Sequence, residues 1–157
     1  MTVQSDTVDS TVARIGKAMH RLLEWCVVDA AHVAAARREF ALDADQMQKA
    51  ANMAQRILTG EGAWAWDAAQ LSWSANEVEL VVGGLLMRLD RLLQRRDNGQ
   101  WWVLDHKSAR APLQDASLVA QLTTYRDAVR GIYPRQIVRA AFLTGEGRWI
   151  ELPETME

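Results

Sequence analysis

Leu80–Lys107 reads LVVGGLLMRLDRLLQRRDNGQWWVLDHK, and its reading decides the fold. Asn98-Gly99 separates two apolar-rich runs, the strongest short-range hairpin signal, because a type I′ turn needs two residues at positive φ. With those two as the loop, Asp97 pairs with Gln100 and Asp90 faces Lys107. Side chains alternate along a strand, so Asp105 and Lys107 share a face, with Asp90 opposite one and diagonal to the other. The pattern therefore gathers two carboxylates and an ammonium on one sheet face.

Such a face admits two readings. One is a cross-strand ion pair, Asp90 with Lys107, holding a hairpin together. The other is a seat for a divalent cation: adjacent carboxylates repel, burial raises the cost, and a hard cation with oxygen ligands relieves both. Lys107 would then orient or activate a water for attack on a phosphodiester. The composition bears on the choice. Of 18 Lys and Arg, only Lys17, Lys49 and Lys107 are Lys. A chain that otherwise uses Arg as its cation places a compact, tunable amine two residues after Asp105.

The segments GGLLMRLDRL and WWVLDHKS resemble the PD-(D/E)XK nuclease superfamily in its RecB-like branch, the nuclease domain of AddA- and RecB-type helicase–nucleases. The resemblance rests on four motifs in order: Gly16-Lys17-Ala18-Met19-His20, Leu89-Asp90-Arg91-Leu92, Asp105-His106-Lys107-Ser108, and Gln121 with Tyr125. It spans roughly residues 12–152. His106 stands where the branch has Tyr. The resemblance implies Mg²⁺ (or Mn²⁺) held by His20, Asp90, Asp105 and the backbone carbonyl of His106. It implies Asp90, Asp105 and Lys107 as the catalytic set, with Gln121 and Tyr125 lining the cleft and Glu77 as an acidic residue near the metal. It also implies DNA, single-stranded, as substrate, and a helicase domain or a helicase–nuclease subunit as partner. A catalytically idle module that binds DNA or a repair partner is the alternative.

The bulk numbers set limits on these expectations. At 157 residues and 49% hydrophobic, the length and composition suit one domain with a real core. A net charge of −2 gives no global basic field, so nucleic-acid binding would need a local patch or a larger partner. A single cysteine, Cys26, excludes an internal disulfide and a four-cysteine iron–sulfur cluster, and suits a reducing, cytoplasmic setting. No apolar run approaches the ~20 residues that cross a bilayer, so no membrane partner is expected.

Taken in order, residues 1–10 read as a flexible N-terminus, 11–152 as one domain and 153–157 as a flexible tail. Val12, Ile15, Met19, Leu22, Leu23 and Cys26 recur at helical spacing, giving a helix from Ser10 or Thr11 to about Asp29 with His20 at the margin of its stripe. Arg37 and Arg38 open a linker. Asp43 and Gln46 form a capping box for a helix that stops at Gly60 as its C′ residue. Glu61–Gln70 reads as a short helix, with Trp64 and Trp66 packed in core or rim. Strands follow at Glu77–Val82, Leu85–Arg96 and Gln136–Thr144, with a short last one at Arg148–Leu152. Between them, Pro112 opens a helix carrying Leu118, Leu122, Tyr125 and Val129, which Gly131 ends. The expected fold class is α/β (α+β): a mixed central sheet with a β-hairpin core flanked by helices, restriction-endonuclease-like.

Overall fold

The computed structural model describes residues 2–154, with side chains from Ser10 onward. Three helices come first: α1 (Thr2–Trp25), α2 (Ala30–Glu39) and α3 (Ala44–Thr59). Two short 3-10 turns, Ala63–Trp66 and Ala68–Gln70, lead into strands β1 (Leu71–Val82), β2 (Leu85–Arg95) and β3 (Trp101–Lys107). Helix α4 (Ala116–Ile132) then crosses to β4 (Val138–Thr144), and β5 (Trp149–Glu151) closes the sheet. Strand order is β1-β2-β3-β4-β5, antiparallel except for the β3–β4 pair, which α4 makes parallel. This is the mixed, helix-flanked sheet the sequence predicts.

The sheet has a helical layer on each face. Leu93, Trp102, Leu104, Ala141 and Leu143 pack against α1 and α3 through Met19, Leu22, Met47 and Ile57. Leu92, Val103, Ala140 and Phe142 pack against α4 through Leu122 and Val129. Central strands buried on both faces need consecutive apolar residues, as β4 has from Ala140 to Leu143. Trp64 packs at 5.0 Å from Trp149 and edge-on to Trp102, which is the core-or-rim role expected of it. Among the described residues no helix is long and apolar enough to cross a membrane.

Several local expectations change. Helix α1 begins at Thr2 rather than at Ser10 or Thr11, since no Gly or Pro interrupts the polar stretch before them. It ends at Trp25 because Cys26 turns left-handed (φ 57°), with Cys26 N–H donating to Leu23 O and Val27 N–H to Leu22 O. Arg37 and Arg38 lie in the last turn of α2, not in a linker. The capping box of α3 forms as expected, Asp43 with Gln46. Gly60 caps α3 without a left-handed backbone; a Cβ there would meet Gly147 O at 2.4 Å. The expected helix at Glu61–Gln70 is two 3-10 turns, and β1 starts six residues before Glu77. Pro112 opens a 3-10 turn, while Asp115 caps α4 by accepting from Ser117 and Leu118 N–H. Gly131 lies within the last turn of α4, which runs on to Ile132. At the expected C-terminal tail, Pro153 O accepts from Arg126 and Glu154 pairs with Arg130; residues 155–157, like Met1, lie outside the described residues.

The most consequential change is the register of the β2–β3 hairpin. Arg91 pairs with Leu104 and Gln94 with Trp101, so Asp90 comes opposite Asp105, not Lys107. The loop holds four residues rather than two. Asn98 does not take positive φ; its side-chain oxygen instead accepts from Gln100 N–H at 2.9 Å, and Gly99 alone is left-handed (φ 70°). Arg96 leaves the ladder, its N–H donating to Gln70 O and its guanidinium to Leu71 O. A shift of two residues keeps every side chain on its face, so the apolar pattern tolerates either register.

Candidate active site

Strand β2 runs against β3 only as far as Arg91 and Leu104. Beyond that pair the strands part, and the Asp90 side chain bridges the gap: its Oδ2 accepts from the backbone N–H of His106 at 2.8 Å. A side-chain acceptor thus satisfies a backbone donor that the ladder no longer reaches. Asp90 Oδ1 faces Nδ1 of His20, 3.5 Å away on α1. Asp105 is buried beside Asp90, and the two carboxyls interact. Lys107 Nζ lies 3.4 Å from Asp105 Oδ2. In place of the Asp90–Lys107 salt bridge of the ion-paired reading stands Asp105–Lys107, with Asp90 turned to His20.

The electrostatics follow from this crowding. Burial pushes Asp105 up to about 8, and the neighbouring Asp90 adds to the effect. Burial acts on Asp90 in the same direction, but the contacts from His20 and Asp105 outweigh it and hold Asp90 below the usual carboxylate range. Burial opposes the charged form of His20 too, yet Asp90 raises it above the ordinary imidazole value. His106 points to the opposite face from Asp105, as its place in the strand predicts. It is buried against Trp66, with ring centroids 5.8 Å apart, and burial lowers it to about 4, so it is neutral.

The remaining candidates divide. Glu77 interrupts β1 with a left-handed backbone (φ 52°), pairs with Arg88 at 2.7 Å and lines the same cavity as His20 and Asp90. Burial raises its carboxyl, and Asp90 raises it further. Tyr125 is partly buried on α4; burial raises its hydroxyl, as do the charges of Asp105 and Asp90. Gln121, one turn earlier, is exposed and makes no side-chain hydrogen bond among the described residues. The structure thus brings together His20, Asp90, Asp105, Lys107 and Glu77, sets Tyr125 within electrostatic reach, and leaves Gln121 at the surface.

Three contributors were not singled out from the sequence. Arg91 is buried over Trp66, donating to Ala65 O through two nitrogens at 3.0 and 2.7 Å and to Asn76 Oδ1 at 2.7 Å. It ties the turn that carries Trp66 to β1 just before Glu77. Lys17 and Arg21 share the cavity of about 300 Å³ with His20 and Asp90. Their spacing from His20 was the available signal: residues three or four apart share a helix face.

A family model of the PD-(D/E)XK nuclease superfamily matches residues 3–146. The chain belongs to that superfamily. No curated protein matches the chain. For a PD-(D/E)XK fold a divalent metal is the typical cofactor, and the donor set can be tested for it. Asp105 Oδ2 is buried and accepts no hydrogen bond, and the adjacent carboxyls compete for one proton. Both facts fit a hard cation with oxygen ligands. As the side chains stand, no three His, Cys, Asp or Glu among the described residues form a metal-holding group. Asp90 has its two oxygens engaged, one with His20 and one with His106 N–H.

Proposed function

We propose that this chain is a metal-dependent DNA nuclease domain of the RecB-like branch, hydrolysing phosphodiester bonds as the C-terminal nuclease part of a helicase–nuclease in DNA repair and recombination. Single-stranded DNA is the substrate, trimmed as an exonuclease would. The observation that carries the reading is the Asp90–Asp105 pair at the parting of β2 and β3, with Lys107 Nζ 3.4 Å from a buried Asp105 Oδ2 that accepts no hydrogen bond.

In this reading Mg²⁺ or Mn²⁺ is held by Asp90, Asp105, His20 and the backbone carbonyl of His106. When bound, the ion offsets the charge that grows on the phosphate. Asp105 would hold the ion in its ionised form, so binding would be coupled to proton release. Lys107 orients and polarises the attacking water, tethered by Asp105 at 3.4 Å. His106, neutral and stacked on Trp66, fixes the backbone whose N–H holds Asp90. Tyr125, its hydroxyl kept protonated by burial and by the carboxylates, stands within their electrostatic reach. The test is cleavage of single-stranded DNA with Mg²⁺ or Mn²⁺, lost in Asp105→Ala with the fold intact. Metal-independent cleavage, or a fully active Asp105→Ala, overturns it.

The second reading is a catalytically idle module that binds DNA or a repair partner. The mutual engagement of His20 and Asp90, with no three-ligand group formed among the described residues, favours it. Absence of Mn²⁺ binding at millimolar concentration would select it.

A further inference from the structure

Two of the chain's three lysines line cavities near the carboxylates, and the third lies on Asp105. Lys107 pairs with Asp105. Lys17 lines the cavity that holds His20 and Asp90. Lys49, on α3, lines a second cavity of about 380 Å³ with Ser108 and Ala109, the two residues that follow Lys107. Neither Lys17 nor Lys49 makes an ion pair or side-chain hydrogen bond among the described residues, whereas Arg21, Arg88, Arg95, Arg130 and Arg139 all pair with carboxylates. The walls of the second cavity are otherwise apolar: Val12 and Ile15 from α1, and Met53 from α3. Val12 is 56% exposed there. Gly16 stands between Ile15, which lines the second cavity, and Lys17, which lines the first; a Cβ added there would lie 4.0 Å from Ser108 Oγ.

We propose that the second cavity is a nucleotide subsite. It takes the base of the residue flanking the cut against Val12, Ile15 and Met53, and the adjoining phosphate on Lys49. Lys17 holds a phosphate on the other side of the carboxylates, so one strand runs along α1 through both cavities. The inference rests on the nuclease reading and supplies what a chain of net charge −2 otherwise lacks, a local cationic track. The occupant is a single strand because an unpaired base has an exposed face for an apolar wall, while a duplex keeps its bases stacked. Charge complementarity and direct continuity with Lys107 through Ser108 argue for the strand over an unrelated ligand.

The test is fluorescence anisotropy of a labelled single-stranded oligonucleotide against the full chain, without divalent metal so that no cutting occurs. Lys49→Gln is expected to lower the slope of log affinity against log salt by about 0.7, the value for one lost single-strand phosphate contact. Val12→Glu is expected to weaken binding about tenfold, in the range for one base contact. Arg38→Gln, at an exposed position of α2 that lines neither cavity, serves as the control and should match wild type. An unchanged slope in Lys49→Gln, unchanged affinity in Val12→Glu, or no binding by wild type overturns the proposal. Metal-dependent cleavage by a wild type that passes the Asp105→Ala test, alongside any of those results, sinks this subsite while leaving the nuclease reading in place.

Discussion

The two hairpins that share β2 are built to opposite ends. Between β1 and β2 the partners continue out to Val82 and Leu85, joined by Gly83-Gly84, both left-handed (φ 59° and 77°). That tip is apolar and exposed, with Val81 at 70% and Leu86 at 62%. Between β2 and β3 the ladder stops at Arg91 and Leu104, well short of the end of β3 at Lys107. There the chain is buried and charged, and a side-chain carboxylate does the work of a backbone carbonyl. A completed ladder saturates its own hydrogen bonds and offers nothing to a ligand. A ladder broken inside the core leaves donors and acceptors that side chains must satisfy, and this is where polar groups with shifted titration gather.

That contrast can be broken most severely at Asp105. Asp105→Ala is expected to lower DNA cleavage by about a thousandfold while the circular dichroism spectrum stays native. Next is Asp90. Asp90→Ala strands the buried N–H of His106 and is expected to cost about 1–3 kcal/mol in urea unfolding. Asp90→Asn keeps an acceptor oxygen there and should retain most of that stability while still losing cleavage.

The pH dependence sharpens the same point. Asp105 titrates near 8 in the folded chain and in the ordinary carboxylate range once unfolded. The folded state therefore holds a proton the unfolded state has released. This group's contribution is full below about pH 4 and is lost as pH rises through 8. Asp90 runs the other way: its folded value is depressed, so its contribution is present above the ordinary carboxylate range and lost on acidification. Urea unfolding of wild type against Asp105→Asn should show the variant gaining on wild type from pH 5 to pH 8, about where the shift lies. Parallel curves would contradict a raised Asp105 carboxyl.

Smaller effects belong to the loops. Gly99→Ala forces a left-handed residue and should cost about 1 kcal/mol by thermal unfolding. Leu86→Ser at the exposed tip should stay within about 0.5 kcal/mol of wild type.

Much of this architecture was legible beforehand, and the exceptions have physical reasons. Asn98-Gly99 between two apolar-rich runs identified the hairpin, and four ordered motifs pointed to His20, Asp90 and Asp105. The register escaped by two residues because faces repeat every two, and because Asn98 used its side chain rather than its backbone to make the turn. Helix α2 was invisible because its Ala-rich stretch carries only one buried residue, Ala36, and so no apolar stripe. Lys107 lies on Asp105 rather than Asp90 as a direct result of the register. Gln121 shares a helix face with Tyr125, as spacing required, but spacing could not say how far toward the site that face turns. The anchoring role of Arg91 depends on Ala65 and Asn76, residues 26 and 15 positions away in the chain, and no local pattern encodes such a contact.

The central claim is that the Asp90–Asp105 pair exists to receive a divalent cation. Calorimetric titration of the full chain with Mn²⁺ at neutral pH, in two buffers of different ionisation enthalpy, tests it most directly. The account predicts saturable binding that releases about one proton and is lost in Asp90→Ala. Heat indistinguishable from dilution at millimolar Mn²⁺, or binding that survives Asp90→Ala unchanged, would contradict it.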